Sequence, residues 1–282
     1  MKLLITGAAG QLGKDLVASA QKQGREFVAV SHADLDVTDN AQVAHTIELV
    51  RPTVVVHAAA WTQVDACESD EKKAMNVNRD GTANIVAAAR KVGARVVYMS
   101  TDYVFDGTKP TPYIESDIPN PQSVYGVSKL AGEQTLDLAQ DLVVRISWVC
   151  GEHGSNMVKT ILRLAATQET LTFVNDQIGS PTFTNDVAPL ILDFAAAERV
   201  GVWHATNQGS TSWFGFAQDV LRAADLDPTR VHSVATKDLR PQRPAKRPAN
   251  SVLENSKMCK ANLALLDDFH TPLNRLVKLL TS

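Results

Sequence analysis

The sequence is short of several things, and each shortage narrows what the chain can be. It has only three cysteines in 282 residues, Cys67, Cys150 and Cys259, with no CxxC among them. Neither a disulfide framework nor a cysteine zinc site is implied. No uninterrupted apolar run approaches the roughly 20 residues that a membrane-spanning helix needs. The apolar part of the N-terminal MKLLITGAAG is too short and too glycine-rich for a signal peptide. An excess of one charge is missing too: 28 Lys and Arg against 31 Asp and Glu leave a net charge of -3. That argues against a large basic face, so nucleic acid is not an expected partner. Nor does the sequence suggest a membrane partner, and the cytoplasm is the expected compartment. Internal repeats and low-complexity tracts are absent.

What is present is an alternation. Short β-branched runs at Lys2–Thr6, Phe27–Val30, Thr53–His57, Arg95–Ser100 and Leu142–Ile146 are separated by helical patterns at Gln11–Gln23, Ala41–Val50, Gly81–Val92 and Leu130–Gln140. Near-continuous apolar strands between helices indicate an α/β fold with a doubly wound parallel sheet, joined by right-handed crossovers. After residue 150 the rhythm weakens. Helical patterns at Asn156–Ala166, Asp186–Ala197, Ser212–Ala224 and Thr271–Leu280 mix with strand-like Leu171–Val174 and Gly201–Thr206. Pro272 is expected near the first position of the last helix. Arg240–Pro248 holds three prolines among four basic residues, which excludes a helix or central strand there. A smaller α+β lobe is expected, with some segments returning to the sheet.

The first chemical signal is Gly7-Ala8-Ala9-Gly10-Gln11-Leu12-Gly13, directly after the first strand and opening the first helix. Glycines let backbone approach a pyrophosphate, and the helix N-terminus supplies N–H donors. The second strand ends in Ser31 and His32, neither the acid that favours NAD nor the arginine that favours NADP, so NADPH and NADH both remain open. Asp36 reads as an adenine contact or as a turn or capping aspartate.

The second signal is Tyr125-Gly126-Val127-Ser128-Lys129. Residues i and i+4 share a helix face, and an ammonium near a phenol favours the phenolate. Ser100-Thr101-Asp102 follows the fourth strand, where a hydroxyl can hold a substrate carbonyl while Tyr125 protonates it.

Together these motifs resemble the extended short-chain dehydrogenase/reductase superfamily, with Ala58-Ala59-Ala60 and Asn78-Arg79-Asp80-Gly81-Thr82 as supporting pieces. More specifically, Ser100–Phe105 (STDYVF), Gly10–Gly13, Arg145–Val149, Asn175–Thr182 and Ala245–Ser251 are similar to the dTDP-4-dehydrorhamnose reductase family, over essentially the whole chain. The resemblance implies a Rossmann-like dinucleotide-binding domain at 1–150 plus about 183–208, and a substrate-binding lobe at about 151–182 and 209–282. It implies reduction of the C4 ketone of dTDP-4-dehydro-β-L-rhamnose by NADPH or NADH. Tyr125 matches the proton donor, Lys129 its partner and Thr101 the carbonyl-binding hydroxyl. Asp102 and Trp148 match substrate contacts. Gly7, Gly10, Gln11, Leu12 and Gly13 match the phosphate loop, while Asp36, Val37, Ala58, Ala59 and Ala60 line the rest of the cofactor groove. Asn78 would tie neighbouring strands or a catalytic water.

Two departures bear on this. Lys246-Arg247 stands where the family often has two arginines, and lysine makes no bidentate phosphate contact, so diphosphate binding rests on Arg247. Asp15 matches a carboxylate that binds magnesium at a dimer contact in some relatives. An aspartate in a first helical turn commonly just complements the dipole, so no metal is assigned, and a homodimer is a family expectation only. Competing readings are another nucleotide-sugar enzyme or a non-catalytic dinucleotide-binding regulatory subunit. Tyr103 replaces the glutamate that dehydratases use, and the Tyr/Lys pair is intact.

Overall fold

The computed structural model describes residues 1–282. Five parallel strands build most of one sheet: β1 (Lys2–Thr6), β2 (Glu26–Val30), β3 (Val54–His57), β4 (Arg95–Thr101) and β5 (Leu142–Ile146). The strand Gly201–His204 returns from the second half of the chain and pairs in parallel with β5, giving six strands. Spatial order runs β2, β1, β3, β4, β5, then Gly201–His204. The chain leaves β1 toward one edge and comes back to β3 on its other side. The C-terminal ends of β1 and β3 therefore flank the switch point where open α/β sheets bind ligands.

Both faces of the sheet are buried, which explains why its strands are apolar without alternation. Leu3, Ile5, Val54, Val56, Val97 and Val144 point to one face, against α1 (Gln11–Lys22) and the helix Thr184–Ala196. Leu4, Val55, Val96, Tyr98 and Val143 point to the other, against α2 (Asn40–Val50) and α5 (Gly81–Lys91). Each fully buried Leu, Ile or Val is worth about 1.5–3 kcal/mol. Between β3 and α5 lie the short helices α3 (Val64–Ser69) and α4 (Glu71–Met75), then a π-helical stretch, Asn76–Asp80, that carries Asn78.

One helix departs from the sequence pattern. The expected helix at Leu130–Gln140 is α6, Val124–Glu133. It starts earlier because the Ser123 hydroxyl accepts from the Gly126 N–H at 3.2 Å. It stops earlier because Asp137 turns the chain, its carboxylate accepting from the Ala139 N–H at 3.0 Å. This shift places Tyr125 and Lys129 inside α6.

A third apolar cluster stands apart from the sheet. It joins the helices Met157–Ala165, Trp213–Ala223 and His270–Thr281 through Val158, Ile161, Phe216, Val220, Phe269 and Leu273. The last helix begins at His270, so Pro272 is its third residue rather than its first. It still sits in the first turn, where a missing N–H costs no hydrogen bond. Residues 240–248 form neither helix nor strand. No helix is long and apolar enough to cross a membrane.

Candidate active site

Gly7 has φ +67, and a side chain there would put Cβ 2.7 Å from the Ala59 amide nitrogen. A Cβ on Gly13 would meet the Gly7 carbonyl at 2.0 Å. Only glycine lets β1, the loop and α1 approach this closely. The N-terminus of α1 has no side-chain cap and no acidic residue in its first turn. Its free N–H groups and dipole are thus unclaimed by the protein, and fit a diphosphate.

Two adjoining cavities run from this loop. One, of about 230 Å³, is lined by Gly7, Gly10, His32, Asp36, Val37, Ala58, Ala59 and Ala60, among others. Asp36 is also a turn residue: its carboxylate accepts from the Thr38 N–H at 2.9 Å and hydroxyl at 2.8 Å. Those bonds from Thr38 hold its carboxyl below the usual range. Ser31 donates its hydroxyl to Asp34 at 2.6 Å. The second cavity, about 430 Å³, shares Gly7, Gly10, Ala58 and Ala60 with the first. It adds Gln11, Leu12, Gly13, Thr101, Asp102, Tyr125, Lys129 and Trp148. The structure thus gathers every expected site residue except Arg247 along one continuous groove.

At its centre, Thr101 ends β4 and Tyr125 and Lys129 share a face of α6. The helix comes this close because a Cβ on Gly126 would strike the Tyr103 carbonyl at 2.2 Å. Thr101 donates to Asp102 Oδ1 at 3.0 Å and accepts from the Tyr103 N–H at 3.2 Å. Asp102 is buried, which raises its pKa to about 6, and its second oxygen has no partner. Burial pushes Tyr125 well above the ordinary tyrosine value, against a smaller downward pull from Thr101. The phenol is therefore protonated near neutrality. Lys129 is fully buried and lowered to about 7, chiefly by burial and against the opposing charge of Glu133. Its ammonium donates to the Met99 carbonyl at 2.7 Å and lies 4.0 Å from the Tyr98 ring centroid. The sequence expectation is that Lys129 lowers the Tyr125 pKa; in this structure burial is the largest influence on both groups.

The shell behind them is closely tied. His57 Nδ1 lies 2.8 Å from Thr6 Oγ1, and burial, aided by the Lys129 charge, lowers its pKa to about 3, leaving it neutral. Asn78 donates to Ser128 Oγ at 2.9 Å and to the Trp61 carbonyl at 3.0 Å, and accepts from the Trp61 N–H at 2.8 Å. It therefore ties the loop after β3 to α6. Arg145 forks onto Glu133 at 2.9 and 2.7 Å, and Ser100 donates to the same carboxylate at 2.5 Å.

Arg247 lies elsewhere. Both its terminal nitrogens donate to Asp65 on α3 at 2.6 Å, and the Ala245 N–H adds a third bond at 3.1 Å. Arg247 also donates to the Ala245 carbonyl at 2.8 Å and neighbours Tyr103, which lines the larger cavity. Asp15 also stands off the groove. It sits in the second turn of α1, one turn later than the dipole reading assumed, 4.0 Å from His153 Nε2. Sequence reasoning missed Thr62, Tyr103, Ser147 and Trp213, all of which line the larger cavity. It also missed Asp65, since no local pattern marks a partner 182 residues from Arg247.

Comparison with known proteins places this geometry. The model of the RmlD substrate binding domain family matches residues 1–282. A dTDP-4-dehydrorhamnose reductase of Streptomyces griseus is 40% identical over 268 residues, 92% of this chain and 88% of the relative. A dTDP-4-keto-6-deoxy-D-glucose reductase of Streptomyces niveus is 38% identical, over 99% of this chain and 97% of its own. Among solved structures, the dTDP-4-dehydrorhamnose reductase of Bacillus anthracis in complex with NADP superposes with a TM-score of 0.93 at 34% identity, covering 99% of both chains. The glycine cradle, the Thr/Tyr/Lys groove and a match running the whole length of the chain lead to one statement: the protein belongs to the RmlD, or dTDP-4-dehydrorhamnose reductase, family.

Proposed function

We propose that the protein reduces the C4 ketone of dTDP-4-dehydro-β-L-rhamnose to the alcohol of dTDP-L-rhamnose, consuming NADPH or NADH. The observation that carries the reading is the convergence of Thr101, Tyr125 and Lys129 in a cavity continuous with the Gly7–Gly13 cradle. Gly7, Gly10, Gln11, Leu12 and Gly13 would hold the diphosphate of the dinucleotide. Asp36, Val37 and Ala58 to Ala60 would line its adenosine and ribose path. No arginine lines that end, where His32 stands beside Asp36. The bound cofactor supplies the hydride.

The protein's own part is orientation and proton supply. Thr101 and Tyr125 hydrogen-bond the ketone oxygen as it gains alkoxide character. Tyr125 then gives its proton to that oxygen, and solvent restores it. The Lys129 cation stabilises the phenolate left behind. Asp102 and Trp148 contact the sugar, and Arg247 contacts the diphosphate of the sugar nucleotide, drawn from the Asp65 side of the groove. In this reading residues 1–150 and about 183–208 bind the dinucleotide, while about 151–182 and 209–282 bind the substrate.

The test mixes purified protein with enzymatically generated dTDP-4-dehydrorhamnose and follows the absorbance of the reduced nicotinamide. NADPH and NADH run in parallel, with UDP- and GDP-linked keto-sugars as controls. Oxidation that needs the dTDP substrate supports the proposal. Dinucleotide binding without oxidation sinks it and points to an epimerase or a regulatory subunit.

A further inference from the structure

Trp213 is a large side chain in the groove that the reaction described above leaves without a task. Its indole lies face to face on that of Trp148, with ring centroids 3.5 Å apart and planes 4° from parallel, and both rings line the larger cavity. Aromatic pairs left to themselves avoid this eclipsed arrangement, because their quadrupoles repel, and choose offset or edge-on contacts. The surroundings must therefore hold it.

They do so from three sides. Trp148 has φ 45, a left-handed backbone that a bulky residue keeps only where its environment over-determines it. A side chain on Gly179 would bring Cβ within 2.4 Å of the Trp148 indole, so glycine there leaves room for the ring. Ile178–Gly179 pairs antiparallel with Thr211–Ser212, which delivers Trp213 as the first residue of its helix. That helix start is pinned by the Ser212 hydroxyl, which accepts from the Gly215 N–H at 3.0 Å and donates to Asn175 at 2.8 Å. Phe216 closes the set with its ring edge-on to both indoles, at 6.3 and 6.0 Å.

We infer that Trp213 is a substrate-positioning residue: with Trp148 it forms one rigid aromatic wall that takes the C–H face of the hexose of a nucleoside-diphosphate sugar. This deepens the reductase reading and rests on it. The groove has two chemical characters. Its lining includes the oxygens of Thr101 and Asp102 and the carbon surface of the indole pair. A hexose has the same two characters, hydroxyls around its rim and C–H groups on its face. The negative face of an indole favours those C–H groups. A 6-deoxy sugar adds a methyl group and so more apolar surface. Trp213 acts through Trp148, by fixing the plane on which the sugar ring rests as it binds.

The experiment uses the full chain with Trp213→Ala and Trp213→Phe. In Trp213→Ala, KM for the keto-sugar nucleotide rises about tenfold, whereas KM for the dinucleotide and kcat change less than about threefold. Trp213→Phe, which keeps a flat ring, recovers most of the loss. Two readouts do not need turnover. Far-ultraviolet circular dichroism of the wild type carries the exciton couplet of a stacked indole pair, and both variants lose it. Calorimetry shows dTDP-L-rhamnose binding about tenfold more weakly to Trp213→Ala. Unchanged sugar affinity in a folded Trp213→Ala that has lost the couplet overturns the inference. So does a parallel rise in both KM values that Trp213→Phe does not rescue. A wild type that binds dTDP-L-rhamnose but does not turn over its keto form defeats the reductase reading instead. The calorimetric comparison then still decides the role of Trp213.

Discussion

Helix α6 sets its expected functional residues in the groove, and the basic strap at residues 240–251 holds Arg247 outside it on Asp65, by opposite means. In α6, Tyr125 and Lys129 are one helical turn apart, the helix start is capped by its own Ser123, and the Lys129 ammonium is held by the Met99 carbonyl of β4. The strap has no such frame. Its path is set by distant partners. Asp65 holds Arg247 and the Ala245 N–H, the Ile178 N–H donates to the Ala249 carbonyl at 2.8 Å, and a Cβ on Gly107 would meet Pro248 at 2.5 Å. Under the proposed function, chemistry thus falls to regular elements, where geometry is fixed locally. In the same proposal, recognition of the nucleotide falls to an irregular segment, fixed only by the finished fold.

The largest test of that contrast removes the proton donor. Tyr125→Phe should lower kcat about 10³-fold and leave the dinucleotide affinity nearly unchanged, measured by steady-state kinetics and fluorescence titration. Retained turnover would move the chemistry off α6. On the strap, Arg247→Ala should raise KM for the sugar nucleotide about 10- to 100-fold with kcat little changed, as expected for a hydrogen-bonded charge lost from a phosphate site. Arg247→Lys should fall between, because an ammonium cannot fork. A fall in kcat with KM unchanged would mean that the strap takes part in chemistry.

The pH profile separates the regions further. Lys129 is cationic below its lowered pKa of about 7 and neutral above it. If the cation stabilises the phenolate, kcat/KM declines as pH rises through that value, by up to about tenfold per unit, and Lys129→Met flattens the profile. Opposing trends would show that neutral lysine is the active form. The smallest effect belongs to Asp65→Asn. It keeps an acceptor for the Ala245 N–H but weakens the hold on Arg247, so KM for the sugar nucleotide should rise by less than about tenfold. A loss equal to that of Arg247→Ala would make Asp65 a direct part of the phosphate site.

The same contrast explains what could be read in the sequence. The sheet was legible because burial on both faces makes its strands near-continuous apolar runs, and Gly7 and Gly13 are glycines because backbone occupies the space of their side chains. Tyr125 and Lys129 could be paired from a spacing of four. The boundaries of α6 were not legible, since Leu130–Gln140 has a helical pattern and the stop comes from the turn at Asp137. Nor was the electrostatic state of the pair, because burial is the largest influence on both pKa values. Trp213 and Asp65 escaped because each matters only through a partner far along the chain, Trp148 and Arg247.

One measurement reaches the central claim directly. The protein is incubated with dTDP-4-dehydrorhamnose and NADPH carrying deuterium at the transferable nicotinamide position, and the product is read by NMR and mass spectrometry. The account predicts dTDP-L-rhamnose with a single deuterium at sugar C4 and one NADPH oxidised per sugar. Deuterium that stays on the cofactor, or an epimerised keto-sugar with no NADPH consumed, would contradict it.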